Sequence, residues 1–448
     1  MGGVDVYRGT FGPRQAGRLL WRGAFGPRPG EAAALAKKGM RGAVLSLTRP
    51  PSERLIGPRP TDADGNPIAP FDAWGHDGLW WLDRMVRTNQ PHVERMTLVW
   101  HDWFATGDVG SQKLGIKQKV TMRKDALGSF EKLFLDVTID PAMLLWLSGG
   151  ENTKYAPNEN YGREMMELFS LGVSNVSGYP YSEDDVREQA RSLTGWTYDW
   201  DDNLGPVNFR FEPELHDYGI KQVFGKSGRF DWRDSVSLCV RHPAHAPYFV
   251  QRLWHYFVPT PPSPGTRNAL VQLYRQNGHQ IRPLVEAILM HPDFYEGPSM
   301  IKPPIVFIAG MLRARRRGID TDSWTWVSEL AGQQLFYPPN VSGWDESRWL
   351  DTSTLRGRWL AAGVAIERDE ADSNGGYPAT ETAEAAVAKA LKYWGDPPLT
   401  AATRRELERF AKRVENAVAA DWEESAYRGL RQNALRMLIA TAPDSETC

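Results

Sequence analysis

Asn158-Glu-Asn-Tyr-Gly-Arg-Glu-Met-Met-Glu-Leu-Phe-Ser-Leu-Gly172 is the stretch that decides the fold class. Asn158 is a residue type that caps helix N-termini, because its side-chain oxygen takes up a backbone N–H that has no partner within the helix. Gly172 suits the left-handed stop at the other end. At about 100° per residue, Tyr161, Met165, Met166, Leu168 and Phe169 fall on one broad apolar face, the mark of an amphipathic helix. The pattern recurs outward from here. Downstream, Ser182 and Asp185 form a near capping box ahead of Val186-Arg-Glu-Gln-Ala-Arg-Ser-Leu193, which Gly195 closes. Upstream, residues 14–27 and 31–48 read as short helices joined by Phe25-Gly-Pro-Arg-Pro-Gly30, and a Pro- and Asp-rich loop follows over 50–75. Further helices are expected over 78–87, 91–104, 121–134, 231–241, 245–258, 267–275 and 281–290. Another runs from Pro304 to Arg317 and one lies near 323–334, followed by an aromatic loop over 335–350. Between Trp196 and Arg229 the pattern loosens, and Phe209, Phe211 and Val223 point to a small β-hairpin near 207–225. The expected fold is all-α or nearly so, with a main helical body over 1–379 and a C-terminal helical cap over 380–448.

Composition narrows the functional classes. With 448 residues the chain can build several packed helical layers. Lys and Arg total 53 against 55 Asp and Glu, so no bulk charge draws it to nucleic acid or anionic lipid. The two cysteines, Cys239 and Cys448, allow no disulfide framework and no cysteine-based zinc site. Cys239 lies in an apolar run and is expected to be packed; Cys448 is expected to be a mobile end. No run reaches the roughly 18 apolar residues of a membrane span. The N-terminus lacks the basic and apolar regions of a signal peptide, so the chain is either cytoplasmic or begins after a removed leader.

Tryptophan is the outlier, with 18 residues. Such rings serve as large core side chains or, when flat faces converge, as stacking surfaces for sugar rings. Trp103, Trp196 and Trp344 are the candidates for substrate contact, together with His216.

Missing motifs exclude several chemistries. There is no His-Glu-x-x-His, no Gly-x-Ser-x-Gly, no phosphate loop and no dinucleotide fingerprint, which disfavours zinc proteases, α/β-type serine hydrolases, nucleotide hydrolases and nicotinamide enzymes. No cofactor is expected. The remaining candidate catalytic groups are Glu164, His101, Asp102, Glu167 and Asp217. Glu164 lies on the flank of an apolar face, where burial raises a carboxyl pKa and suits a general acid. The bland alternative is a structural ion pair with an arginine such as Arg191. Glu167 points more to the opposite side, as a partner carboxylate or a solvated face. His101 beside Asp102 is a base or metal ligand at a helix end, or a satisfied core histidine. His216-Asp217 is a loop-borne acid–base pair, or a turn with an Asx hydrogen bond. The aromatic loop around Phe336-Tyr-Pro-Pro-Asn340 and Trp344 lines a cleft or plugs the core.

Several segments together resemble the bacterial domain-of-unknown-function family DUF1800. They are Arg18-Leu-Leu-Trp-Arg-Gly-Ala-Phe-Gly-Pro27, Trp100-His-Asp-Trp-Phe-Ala-Thr106, Asn160–Gly172, Ala190-Arg-Ser-Leu-Thr-Gly-Trp196, His216-Asp-Tyr-Gly-Ile-Lys221 and Gln334-Leu-Phe-Tyr-Pro-Pro-Asn-Val-Ser-Gly-Trp344. The resemblance implies an exported, envelope-associated protein whose gene often neighbours that of a phosphatase-like family. It implies no reaction. Trp103 and Phe169 stand where relatives often carry histidine, so any histidine-rich metal site would be depleted here. Three functions remain open. The first is a glycan-acting enzyme that cleaves glycosidic bonds, with Glu164 as proton donor and Asp102, Glu167 or Asp217 as partner. The second is a non-catalytic helical scaffold that binds an envelope polymer or the neighbouring phosphatase-like protein. The third is a metal-dependent enzyme using His101, Glu164 and Glu167.

Overall fold

Asn158 and Gly172 bound a helix as their chemistry requires. The computed structural model describes residues 3–173, 180–371, 381–417 and 424–448, and among them 57% are helical, in 22 helices, beside two small antiparallel sheets. The side chain of Asn158 accepts from the Asn160 N–H at 2.9 Å and opens the helix Glu159–Met166. A turn of π-helix, Glu167–Leu171, continues it to Gly172, which takes φ 81°. Within that wider turn the Ser170 hydroxyl donates to the Met165 carbonyl at 2.6 Å, a five-residue step that takes over an acceptor the regular ladder leaves open. Gly162 lets this helix approach the next one closely. A Cβ there would sit 3.2 Å from the Ala190 nitrogen and the Val186 oxygen. The neighbouring helix Glu183–Ser192 opens with the expected capping box: Ser182 Oγ accepts from the Asp185 N–H, and Asp185 Oδ2 accepts from the Ser182 N–H.

The β structure expected near 207–225 is present, as strands of two short hairpins. β1 (Trp196–Asp201) pairs with β2 (Gly205–Phe211), and β3 (Lys221–Val223) pairs with β4 (Lys226–Gly228). Residues 207–225 therefore hold parts of two hairpins, not one. The turns decide this. Asp201 Oδ1 accepts from the Asn203 and Leu204 N–H groups and closes the first, while Phe224 and Gly225, both at positive φ, close the second.

The chain divides into two compact units. One comprises Met1–Arg8, His92–Gly297 and Phe336–Trp344; the other comprises Gly9–Pro91, Pro298–Leu335 and Asp345–Cys448. The first has an aromatic core. Phe130 and Phe249 lie 4.5 Å apart, Phe249 stacks on Tyr274 at 4.6 Å, and Trp103 meets Phe249 at 5.1 Å. Each such ring contributes on the order of 4–6 kcal/mol of gross burial before conformational entropy is subtracted. His245 sits inside this core as a neutral ring: Nδ1 bonds the Ser170 carbonyl at 2.9 Å, Nε2 the Tyr274 hydroxyl at 3.1 Å, and burial pushes its pKa down to about 3.

The second unit is built around the helix Pro304–Arg315, buried from Pro304 through Arg313 and packed on the helices His76–Arg87 and Thr352–Glu367. Buried Arg358 pairs with Glu446 at 3.0 Å and donates to the Lys302 and Trp349 carbonyls. The helices from Ala383 onward belong to this unit, and Glu424–Ala440 packs on Thr352–Glu367 and on Ala383–Tyr393. The expected boundary at 379/380 lies outside the described residues. Cys448 is not the mobile end its position predicts: it exchanges backbone hydrogen bonds of 2.8 Å with Met300, and its carbonyl accepts from Arg22. Cys239 is buried, as its apolar surroundings require.

Candidate functional site

His101, Asp102 and Trp103 end the helix Pro91–Trp103, and the aromatic segment 336–344 is fastened to them. The Phe336 N–H donates to His101 Nε2 at 3.2 Å, and Trp344 meets the imidazole edge-on at 5.1 Å. His101 is fully buried, and burial, with Lys119 adding to it, holds its pKa well below the ordinary histidine value. The ring is thus a neutral acceptor. Asp102 is engaged at both oxygens: Oδ1 accepts from the Trp344 N–H at 2.9 Å and Oδ2 from the Tyr256 hydroxyl at 2.5 Å. Gly343 is what allows this approach, since a Cβ there would lie 2.3 Å from Asp102 Oδ1 and its φ is 90°. Of the two readings of the aromatic loop, these bonds match the plug for 336–344.

Tyr248, Arg252 and Tyr256 complete the constellation from the helix His245–His255 and its C-cap. The Arg252 guanidinium covers the Trp103 ring at 4.3 Å and donates to the Leu168 carbonyl at 2.5 Å and the Tyr248 hydroxyl at 3.1 Å. Burial opposes its charge, but the two tyrosines and Asp102 together hold its pKa above the usual arginine value. Burial first, then Asp102, pushes the Tyr256 pKa well up. None of these three residues was singled out from the sequence. Their spacing of four residues, which lines one helix face, was the available signal.

Trp103 is wholly buried, and its indole N–H donates to the Phe169 carbonyl at 3.0 Å. A ring with no exposed face offers no platform to a sugar, so here Trp103 packs the core. The indole of Trp103 and the backbone of Phe169 are therefore direct neighbours. Trp196 is half-buried and edge-on to Trp232 at 5.4 Å. Trp344 is half-buried against His101.

Glu164 and Glu167 are half-buried, and no hydrogen bond or ion pair joins either carboxylate to a described residue. Burial, then the neighbouring Glu167, raises the Glu164 pKa, with Arg163 partly offsetting. The structural partner considered for Glu164 is occupied elsewhere. Arg191 pairs with Asp217 at 2.7 Å and with Glu188 at 2.9 Å. That arginine first, and then the Gly219 N–H, hold Asp217 below the usual carboxylate range. The 2.7 Å bond from the Gly219 N–H to Asp217 Oδ1 is the Asx hydrogen bond of the turn reading. His216 is buried with Nδ1 2.8 Å from the Thr194 carbonyl, and burial lowers its pKa. The segment His216-Asp217 is a structural corner.

Among the described residues no group of three or more His, Cys, Asp or Glu side chains is placed to hold a metal ion, so His101, Glu164 and Glu167 do not gather as a ligand set. Nor is any described helix long and apolar enough to cross a membrane.

The class is thus a mostly helical protein with two small hairpins and an internally bonded aromatic–polar constellation. A family model described as a protein of unknown function (DUF1800) matches residues 18–444, and the chain belongs to that family. No curated protein and no solved structure matches it.

Proposed function

We propose that this chain is a non-catalytic binding protein of the cell envelope that contacts a glycan-containing polymer through exposed aromatic side chains of its hairpin region. The observation that carries this reading is a contrast in exposure within the first unit. Tyr155, Trp200 and Tyr218 are 78%, 69% and 57% exposed, whereas His101 and Trp103 are fully buried. The Lys154 N–H donates to the Leu215 carbonyl at 2.8 Å, so the loop bearing Tyr155 runs beside the segment bearing Tyr218. Trp200 extends from β1 next to the turn that carries Leu204, itself 73% exposed. Flat amphipathic rings held on a short hairpin suit sugar faces. The envelope setting, with export as the expected location, comes from the family resemblance.

The test is co-sedimentation with purified peptidoglycan, with a soluble glycan panel beside it. Trp200→Ala and Tyr155→Ala should each weaken retention about threefold to tenfold, in line with the 0.5–1.5 kcal/mol of an aromatic contact, and leave the melting temperature in place. Wild-type protein that is never retained, or variants retained as well as wild type, would sink the reading. Retention of the neighbouring phosphatase-like protein in place of any glycan would assign the surface to that partner.

One observation favours a second reading, the glycosidic-bond hydrolase. Glu164 is raised in pKa beside Glu167, and neither is tied down, which fits a proton donor and its partner carboxylate. That chemistry needs carboxyl groups about 5–5.5 Å apart for retention or 6.5–9.5 Å for inversion. Release of reducing ends that falls about a hundredfold in Glu164→Gln would establish it over the binding reading.

A further inference from the structure

The second unit contains a cavity of about 620 Å³, lined by none of the candidate catalytic or substrate-contact residues. Five arginines line it: Arg28, Arg87, Arg313, Arg316 and Arg317, with Glu31 as the one acidic residue in the wall. Three of the arginines are fixed by main-chain carbonyls. Arg28 donates to Val86 at 2.8 Å and Thr88 at 3.1 Å, and Arg313 donates to Gly26 at 2.9 Å and to Glu31 at 3.1 Å. Arg317 donates to the Val364 and Ala365 carbonyls, both at 2.8 Å, and makes a two-pronged bond to Asp320, both arms 2.9 Å. Arg87 pairs with Asp83 through Nη1 at 3.0 Å, but its Nε is buried and has no acceptor among the described residues. Arg87 is only 9% exposed. Arg316, left-handed at φ 53° and exposed, has no side-chain hydrogen bond to any described residue.

The charge does not balance. Five guanidiniums face three carboxylates, Glu31, Asp83 and Asp320, which leaves two positive charges unmatched even before Arg368 claims a share of Asp320. Burial pushes the Arg313 pKa down to about 10; Glu31 offsets part of this and Arg28 adds to it. Burial likewise lowers Arg28, with Glu31 offsetting and Arg316 adding. Positive charge is crowded here beyond what the wall neutralises. A bland function for arginines near helix C-termini is to satisfy carbonyls, and Arg28, Arg313 and Arg317 do so. It leaves the buried Nε of Arg87 and the whole Arg316 side chain unexplained.

We propose that this cavity is a binding site for a small organic anion, its phosphate or carboxylate held by Arg87 and Arg316 against the fixed positive wall of Arg28 and Arg313. The volume lies in the range of small-molecule sites and far exceeds a bare inorganic ion, so the oxyanion is carried on an organic body. Ile56, Pro58 and Ala34 supply an apolar side for that body, and Glu31 can accept from its hydroxyl groups. Guanidinium forks match both phosphate and carboxylate oxygens. The site is independent of the hairpin reading above.

Titration calorimetry of the whole chain at low salt tests it, with glucose 6-phosphate, glucuronate and uncharged glucose as probes. At least one of the two anions should bind and glucose should not; the tighter anion identifies phosphate or carboxylate as the recognised group. Arg316→Ala should weaken that binding about tenfold to a hundredfold, as expected for a hydrogen bond to a charged group, and Arg316→Glu should abolish it. Because the Arg316 side chain is exposed and makes no hydrogen bond to a described residue, both variants should melt like wild type. Failure of both anions to bind wild type, or unchanged binding to Arg316→Glu, overturns the proposal.

Discussion

The constellation around Asp102 in one unit and the arginine-lined cavity in the other handle charge in opposite ways. At Asp102, both carboxylate oxygens, the neighbouring imidazole and the nearby guanidinium all have partners inside the protein. In the cavity, cations outnumber the carboxylates that meet them, and the exposed Arg316 side chain has no hydrogen bond to a described residue. The difference separates chemistry-bearing residue types from chemistry-bearing places. A His-Asp pair draws attention as sequence, yet with Asp102 bonded at both oxygens and His101 Nε2 accepting from Phe336 it acts as a joint between elements. Scattered arginines draw none, yet crowding leaves them available to a ligand.

The sharpest way to break this comparison is to remove a cation from each region. Arg252→Met removes the guanidinium near Asp102 together with its bonds to the Leu168 carbonyl and the Tyr248 hydroxyl, and should destabilise the fold by about 1.5–3 kcal/mol in urea unfolding. Arg316→Ala should change stability by less than about 0.5 kcal/mol. Similar losses in the two variants would erase the distinction.

A smaller effect is expected at Glu164. Its pKa is raised, so the folded state holds its proton to higher pH than the unfolded chain, and stability declines as pH rises through that window. Glu164→Gln removes the penalty. The variant should match wild type near pH 4 and exceed it at pH 8 by less than about 1 kcal/mol, given partial solvent screening. A large loss of stability at pH 8 would instead reveal an ionised, paired Glu164.

What could be read from the sequence was local. Asn158, Gly172 and the Ser182–Asp185 box act within one or two helical turns, and those helices stand where the capping chemistry puts them. The π-turn at Glu167–Leu171 could not be read this way. Its angular step is smaller than the 100° of a regular helix, and within it the Leu168 carbonyl accepts from Tyr248 and Arg252, on a helix some 80 residues further on. The small β structure near 207–225 was legible from the loosened pattern, whereas its strand partners are set by the turns at 201–205 and 224–225. The tryptophans divided between both readings: Trp81, Trp100, Trp103, Trp254 and Trp324 fill cores, and Trp74 and Trp200 are exposed. The arginine cavity had no signature, since its walls come from separate segments around residues 28–34, 56–58, 86–87 and 313–318.

A double-mutant cycle on Asp102→Ala and Tyr256→Phe tests most directly whether the candidate carboxylate is held inside the structure. The two residues are 154 positions apart in sequence and joined by a charge-assisted hydrogen bond. Unfolding free energies of the two single variants and the double variant should give a coupling of about 1.5–3 kcal/mol. Effects that add within about 0.5 kcal/mol would contradict the account, because Asp102 would then be free of Tyr256 and available for the chemistry that its sequence first suggested.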